Sequence, residues 1–294
     1  MILVVGSTGI LGSEVCRRLR ERGLEVRALV RPGSPRQAAL AHLGVEICHG
    51  DLRSGDSLAT ACRGVRAVIS TATAMGSKDR SLSLRAVDRD GQLALVAAAR
   101  EARVEHFTFI SLSPNLRPTA PLVRYKHEVE RAVRASGMRW TILQPSVFAD
   151  VWLSAALGWD HAAGRATIFG AGTAPLSWIT VDDVAEHAVR SLDDRRLWNQ
   201  ALPLGGPDAL PPNAVLRLFE EFSGRSYKAR RVPRPVLAAL APAVALVDEG
   251  VASGMGLGAQ MALGDVIDSP LQRELGLPLT SVREYAERVI RALA

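Results

Sequence analysis

The sequence predicts an α/β fold: a doubly wound parallel sheet with a smaller, mostly helical C-terminal lobe. Three observations predict it. The chain opens with an apolar strand, Ile2 to Val5, which runs through Gly6-Ser7-Thr8-Gly9-Ile10-Leu11-Gly12 into an amphipathic stretch ending near Arg22. Strand-like and helix-like segments then alternate as far as Pro145, the signature of repeated βαβ units around a parallel sheet. From Gly205 onward this alternation gives way to helical, proline-rich sequence.

Each element follows from local chemistry. A strand buried on both faces reads as a continuous apolar run, as Ile2 to Val5 does. In the turn that follows, Gly6 allows the chain to double back, Gly9 lets backbone approach an anion, and Gly12 lets the helix pack closely. The N–H groups at the helix start, on the positive end of its dipole, then face a phosphate. Gly6, Thr8, Gly9, Ile10, Leu11 and Gly12 are therefore the expected pyrophosphate contacts of a dinucleotide-binding Rossmann fold.

The second strand is expected over residues 24–31, a helix near 35–43, and a third strand at 45–48 that runs into Gly50-Asp51-Leu52. A short helix at 57–62 and a fourth strand at 67–71 follow. Beyond them come a long helix at 84–102, a fifth strand at 107–111, a helix at 124–136 stopped by Gly137, and a sixth strand at 140–143. The strand order 3-2-1-4-5-6 is expected. Residues 148–172 read as a pocket-forming insertion, and 177–192 as strand then helix, with an Asp of the Val181-Asp182-Asp183 run as N-cap. Residues 202–204 read as a last parallel strand. The expected division is a nucleotide-binding domain over 1–147, rejoined by 176–204, and a substrate or partner lobe over 148–175 and 205–294.

With 48% hydrophobic and 22% charged residues, the 294-residue chain has an ordinary globular composition. Its net charge of +6 is spread along the chain with acids interleaved and no aromatic-basic stacking motif, so a nucleic-acid partner is not expected. No signal peptide is expected ahead of a strand at residue 2. The apolar run Val236 to Val247 carries Pro242 and is too short to span a bilayer; it is expected to be a buried or interface helix. Cys16, Cys48 and Cys62 show neither disulfide nor metal-ligand spacing; they suit a reducing cytosol, and no metal is expected. Of the 36 basic residues only Lys78, Lys126 and Lys228 are lysines, which singles out any lysine placed near the chemistry.

Arg31 ends the second strand, where an NAD-specific fold places an acid for the ribose 2′-hydroxyl. A guanidinium there suits a 2′-phosphate and points to NADP(H), with Arg36 as a second candidate. Asp51, with the Leu52 backbone, is placed either to accept from the adenine amino group or to cap a turn. Thr71, Ala72 and Thr73 should pass beneath the cofactor. Lys126 lies near the start of the helix that would flank the nicotinamide; its alternative is a surface pair with Glu130. Trp152, Trp159, His161 and Trp178 are candidate walls of a flat apolar substrate pocket, or core residues.

Several blocks occur together and in one order: Gly6-xx-Gly9-xx-Gly12, Val30-Arg31, Gly50-Asp51-Leu52, Phe109-Ile110-Ser111, Lys126-xxx-Glu130, 136–143, Val181-Asp182-Asp183-Val184-Ala185 and Leu204-Gly205-Gly206-Pro207. Over about residues 1–225 the chain thereby resembles the atypical short-chain dehydrogenase/reductases of the NmrA-like type. That group includes NAD(P)H:quinone reductases, triphenylmethane reductase and isoflavone-reductase-like enzymes, as well as regulators and photosystem assembly factors with little or no catalysis. The wider superfamily carries Tyr-xxx-Lys, but the residue four before Lys126 is Leu122. Tyr125, one residue away, points about 100° off the lysine's face.

The resemblance implies that Lys126 holds the nicotinamide ribose and assists at the substrate. Ser111 would be its partner in the site, with Pro145, Ser146 and Phe148 on the cofactor. The proton would come from Lys126, Ser111, Ser113 or water. It further implies a cytoplasmic NADPH-dependent oxidoreductase, monomeric or homodimeric, reducing a small aromatic quinone or enone-type acceptor bound between the sheet's carboxyl edge and the second lobe. The alternative is a non-catalytic NADP(H)-sensing regulator or assembly factor with a protein partner.

Overall fold

The computed structural model describes residues 1–77, 79 and 81–293; Lys78 lies outside the described residues. The first strands and helices are β1 (Ile2–Val5), α1 (Ile10–Glu21), β2 (Val26–Val30), α2 (Gln37–His42), β3 (Glu46–His49), α3 (Gly55–Cys62) and β4 (Ala67–Ser70). A π-helical segment, Arg85–Gly91, leads directly into α4 (Gln92–Glu101). The single long helix expected over 84–102 is thus a wide turn spliced onto a regular one. β5 (His106–Ile110), α5 (Pro121–Arg134) and β6 (Arg139–Pro145) follow.

After these come α6 (Ala149–Trp152), β7 (Arg165–Phe169), β8 (Leu176–Ser177), α7 (Val181–Arg190) and β9 (Gln200–Leu204). The remaining elements are β10 (Ala209–Leu210), α8 (Pro212–Ser223), β11 (Lys228–Val232), α9 (Arg234–Val244), α10 (Glu249–Met261), α11 (Pro270–Leu275) and α12 (Val282–Arg291).

The main sheet has the order β3-β2-β1-β4-β5-β6-β9, the expected doubly wound arrangement extended by one strand. Pairing is parallel, with Val5 beside Leu29 and Ser70, and Ile110 beside Leu143. β9 joins in parallel as well: the Asn199 amide donates to Trp140 O and the Ser146 amide to Leu204 O, so both segments run the same way. Ile2, Leu3, Val4, Val68, Ile69, Phe107 and Phe109 are buried, as strands covered on both faces must be.

Two compact units can be distinguished. Unit 1 comprises 1–111, 121–143 and 184–202; unit 2 comprises 112–120, 144–183 and 203–294. In unit 2 the stretch expected to be irregular holds α6 and β7, and β7 pairs in parallel with β11.

Two local expectations need correction. The N-cap of α7 is Thr180, not an aspartate: its Oγ1 accepts from the Asp183 amide while Asp183 Oδ2 accepts from the Thr180 amide, a reciprocal box. The Val236–Val247 run is not buried. It forms α9 and the turn after it, and only Leu237 is covered, while Leu246 and Val247 are about nine-tenths exposed. Proline at the helix start and within it limits the run to a short helix packed on α10, too short to hide every apolar side chain.

Candidate nucleotide groove and buried lysine

In unit 1 a groove of about 630 Å³ follows the carboxyl ends of β1, β2 and β4. Its bed is the glycine turn. Gly6 sits at φ +83°, and a Cβ there would lie 2.6 Å from the Ala72 amide nitrogen; a Cβ on Gly12 would lie 2.2 Å from Gly6 O. No side chain caps the start of α1 and no acid lies in its first turn, so its N–H groups and positive dipole end are left for an anion. This cradle fits a dinucleotide pyrophosphate.

The groove collects Gly6, Thr8, Gly9, Arg31, Asp51, Leu52, Thr71, Ala72 and Thr73, as expected. Ile10, Leu11 and Gly12 do not line it: Ile10 is half exposed, while Leu11 and Gly12 are buried beneath the turn.

Pairings across the rim were not legible in the sequence. Arg31 Nη1 lies 2.9 Å from Asp79 Oδ2, an ion pair between two half-exposed side chains. Arg36 Nη1 donates to Thr8 O at 2.8 Å, which holds a second guanidinium against the glycine turn. Asp51 is occupied by its neighbour. Its Oδ1 accepts from the Arg53 amide and Nε, its Oδ2 from Arg53 Nη2 at 2.8 Å, and this fork holds its carboxyl below the usual range. An adenine contact would have to share those oxygens. Spacing in the sequence does not say that Asp79 meets Arg31.

Lys126 stands on α5, buried to 5% exposure. Glu130 is buried as well, so what helical spacing brings together here is not a surface pair. Lys126 Nζ donates to Ile110 O at 3.0 Å, lies 4.8 Å from the centre of the Phe109 ring, and is 3.9 Å from Asp88 Oδ1. Glu130 accepts from Ser111 Oγ and Arg134 Nη2. Burial pulls the ammonium below its ordinary pKa, and Asp88 and Glu130 partly restore it. Ser111, also buried, directs its hydroxyl hydrogen at Glu130 and keeps acceptor capacity only.

Other expected site residues belong to unit 2, where their polar atoms are already engaged. Ser113 and Ser146 both donate to the buried Asp265, at 2.7 and 2.6 Å, so their hydroxyl hydrogens are committed. Pro145 and Ser146 are buried, and Phe148 precedes α6. Trp152, Trp159 and Trp178 line one small cavity with Phe169 and Met261. Trp159 and Trp178 are core side chains there, with indole N–H groups donating to Thr167 O and Leu210 O. His161 does not reach the cavity: it stacks on Phe219 with centroids 4.3 Å apart, and both ring nitrogens are engaged, with Leu153 O and Tyr227 Oη.

These features are those of a nucleotide-binding reductase scaffold, and the chain belongs to the NmrA-like family, whose sequence profile matches residues 1–265. It is 35% identical over 227 residues to the NAD(P)H azoreductase of Xenophilus azovorans, covering 76% of this chain and 74% of that one. It is 30% identical over 238 residues to the photosystem II assembly factor Ycf39 of Cyanophora paradoxa, covering 79% and 71%. Its fold matches the NADPH-dependent quinone oxidoreductase of Escherichia coli crystallised with NADPH, at a TM-score of 0.75 and 22% identity over 98% and 99% of the two chains. No described helix is long and apolar enough to cross a membrane.

Proposed function

We propose that the protein is an NADPH-dependent reductase that passes a hydride to a small, electron-poor aromatic acceptor of the quinone, enone or azo type. The observation that carries this reading is the pairing, within unit 1, of a glycine-built anion cradle with a buried lysine beyond it. Thr71, Ala72 and Thr73 line the groove, and the next residue, Ala74, donates its amide to Asp88, the carboxylate beside Lys126. The named activity of the azoreductase relative, 35% identical, supports the same reading.

In this reading the glycine turn and the start of α1 hold the pyrophosphate, while Arg31 and Arg36 supply guanidinium groups for the 2′-phosphate. Bound NADPH would supply the hydride. Lys126 would hold the nicotinamide ribose and place a positive charge near the negative charge that develops on the acceptor.

Loss of NADPH absorbance with a panel of quinones, azo dyes and enones tests the proposal. Turnover should fall at least about tenfold in Lys126→Ala, with NADPH affinity largely retained. Cofactor binding without turnover across the panel would overturn it in favour of the second reading, a non-catalytic NADP(H)-binding assembly factor or regulator. Similarity to a photosystem II assembly factor favours that second reading. Arg31→Ala should weaken NADPH binding about tenfold or more and leave NADH binding nearly unchanged. Equal losses would remove Arg31 from the 2′-phosphate.

A further inference from the structure

The π-helical turn at Arg85–Gly91 carries Asp88 into the interior of unit 1, where the side chain is completely buried. π turns are rare, and they re-aim one side chain within an otherwise regular helix. This one is held in place by close packing: a Cβ on Gly91 would lie 2.8 Å from Leu52 Cγ and 3.0 Å from Leu52 O. The two oxygens of Asp88 differ sharply. Oδ2 accepts from the Ala74 amide at 2.8 Å. Among the described residues Oδ1 is buried without a hydrogen-bond partner, and it lies 3.9 Å from Lys126 Nζ.

A buried carboxylate oxygen without a donor is costly, and native structures retain one where something compensates for it. The compensating charge is the Lys126 ammonium. The lysine in turn has a neutral carbonyl, the Phe109 ring face, and the carboxylates of Asp88 and Glu130 around it. Glu130 is shared with Ser111 and Arg134, and Arg89 is occupied with Glu128 and Asp90. Asp88 is thus the carboxylate with an oxygen left for Lys126.

We propose that Asp88 is the positioning residue of Lys126: anchored by the Ala74 amide at the edge of the nucleotide groove, it fixes the place and the positive charge of the lysine. The catalytic part of this role rests on the reductase reading of Lys126 above. Because Ala74, which donates to Asp88, directly follows Thr73 in the groove wall, the same carboxylate links the groove's floor to the lysine. Direct contact with substrate is left to Lys126; Asp88 acts through it.

The chain's small lysine complement makes a direct test practical. Lysine labelled with carbon-13 at Cε gives one resonance for each of the three lysines, and Lys126→Ala identifies the relevant one. In the cofactor-free protein, Asp88→Asn removes a negative charge that favours the ammonium, so the Lys126 midpoint should move to lower pH by about one unit. Asn keeps an acceptor for Ala74. Should this variant fail to fold, the reciprocal titration replaces it: in Lys126→Met the labelled Asp88 carboxyl should titrate at higher pH by a similar amount.

A Lys126 midpoint that stays in place in folded Asp88→Asn, or an Asp88 midpoint unmoved in Lys126→Met, overturns the proposal. Where turnover occurs, its alkaline limb should follow the same shift. If the wild-type protein binds NADPH but reduces no acceptor, the reductase reading fails while the titration still decides the role of Asp88. If turnover occurs and the midpoints do not move, only the Asp88 proposal fails.

Discussion

Asp88 in unit 1 and Asp265 in unit 2 are both buried carboxylates, and they are solvated by the protein in opposite ways. Asp265 is fully provided for. Ser113 Oγ and Asn115 Nδ2 donate to Oδ1 at 2.7 and 2.8 Å, and Ser146 Oγ donates to Oδ2 at 2.6 Å. Its backbone joins in, with the Asp265 amide donating to Pro175 O and the Ser177 amide to Asp265 O. It therefore clamps four separate stretches of unit 2 together. Asp88 has one donor, the Ala74 amide, on one oxygen and an ammonium beyond hydrogen-bond reach of the other. A satisfied buried carboxylate contributes to stability, whereas a half-satisfied one stores an electrostatic potential that a neighbouring charge can use.

This contrast is easiest to break through stability. Asp265→Ala leaves three donors without their acceptor and should lower the unfolding free energy by about 3 kcal/mol or more, read from urea denaturation. A smaller loss follows from Ser146→Ala, about 1–2 kcal/mol, because one donor goes and the other two still hold the carboxylate. The smallest effect is expected for Asp88→Asn, about 1 kcal/mol, since a drop of about one unit in the Lys126 midpoint corresponds to about 1.4 kcal/mol and is partly offset by no longer burying the Asp88 charge. Were Asp88→Asn to cost as much as Asp265→Ala, the two sites would be structural alike and the contrast would vanish.

Legibility in the sequence followed the range of the interactions. The glycine turn could be read because Gly6 must take φ +83° and a Cβ on Gly12 would lie 2.2 Å from Gly6 O, both constraints within a few residues, whereas the closeness of Gly6 to Ala72 is long-range. The helix breaks were legible for the same reason. Lys126 could be singled out by scarcity and position, but its surroundings could not. A lysine four residues before a glutamate carries the pattern of a surface pair whether or not the helix buries that face. The cap of α7 was misassigned because Thr180 and Asp183 are both good capping residues, and only geometry shows which one stands outside the helix. The tryptophans gave the weakest signal, since an indole in a core and an indole in a pocket have the same composition.

The sequence by itself determined that a parallel sheet begins at residue 2, winds both ways from its first strand, and carries an anion cradle where that strand meets α1. Those properties reside in apolar runs, glycines and helix starts, whose physics is local. Tertiary structure decided the rest: that Lys126 is buried against Ile110 O and Asp88, that Arg31 meets Asp79 across the groove, and that Ser113 and Ser146 converge on Asp265. Each of these pairs residues far apart in the chain, and their meeting depends on how strands order and helices pack. No spacing within a single element encodes that.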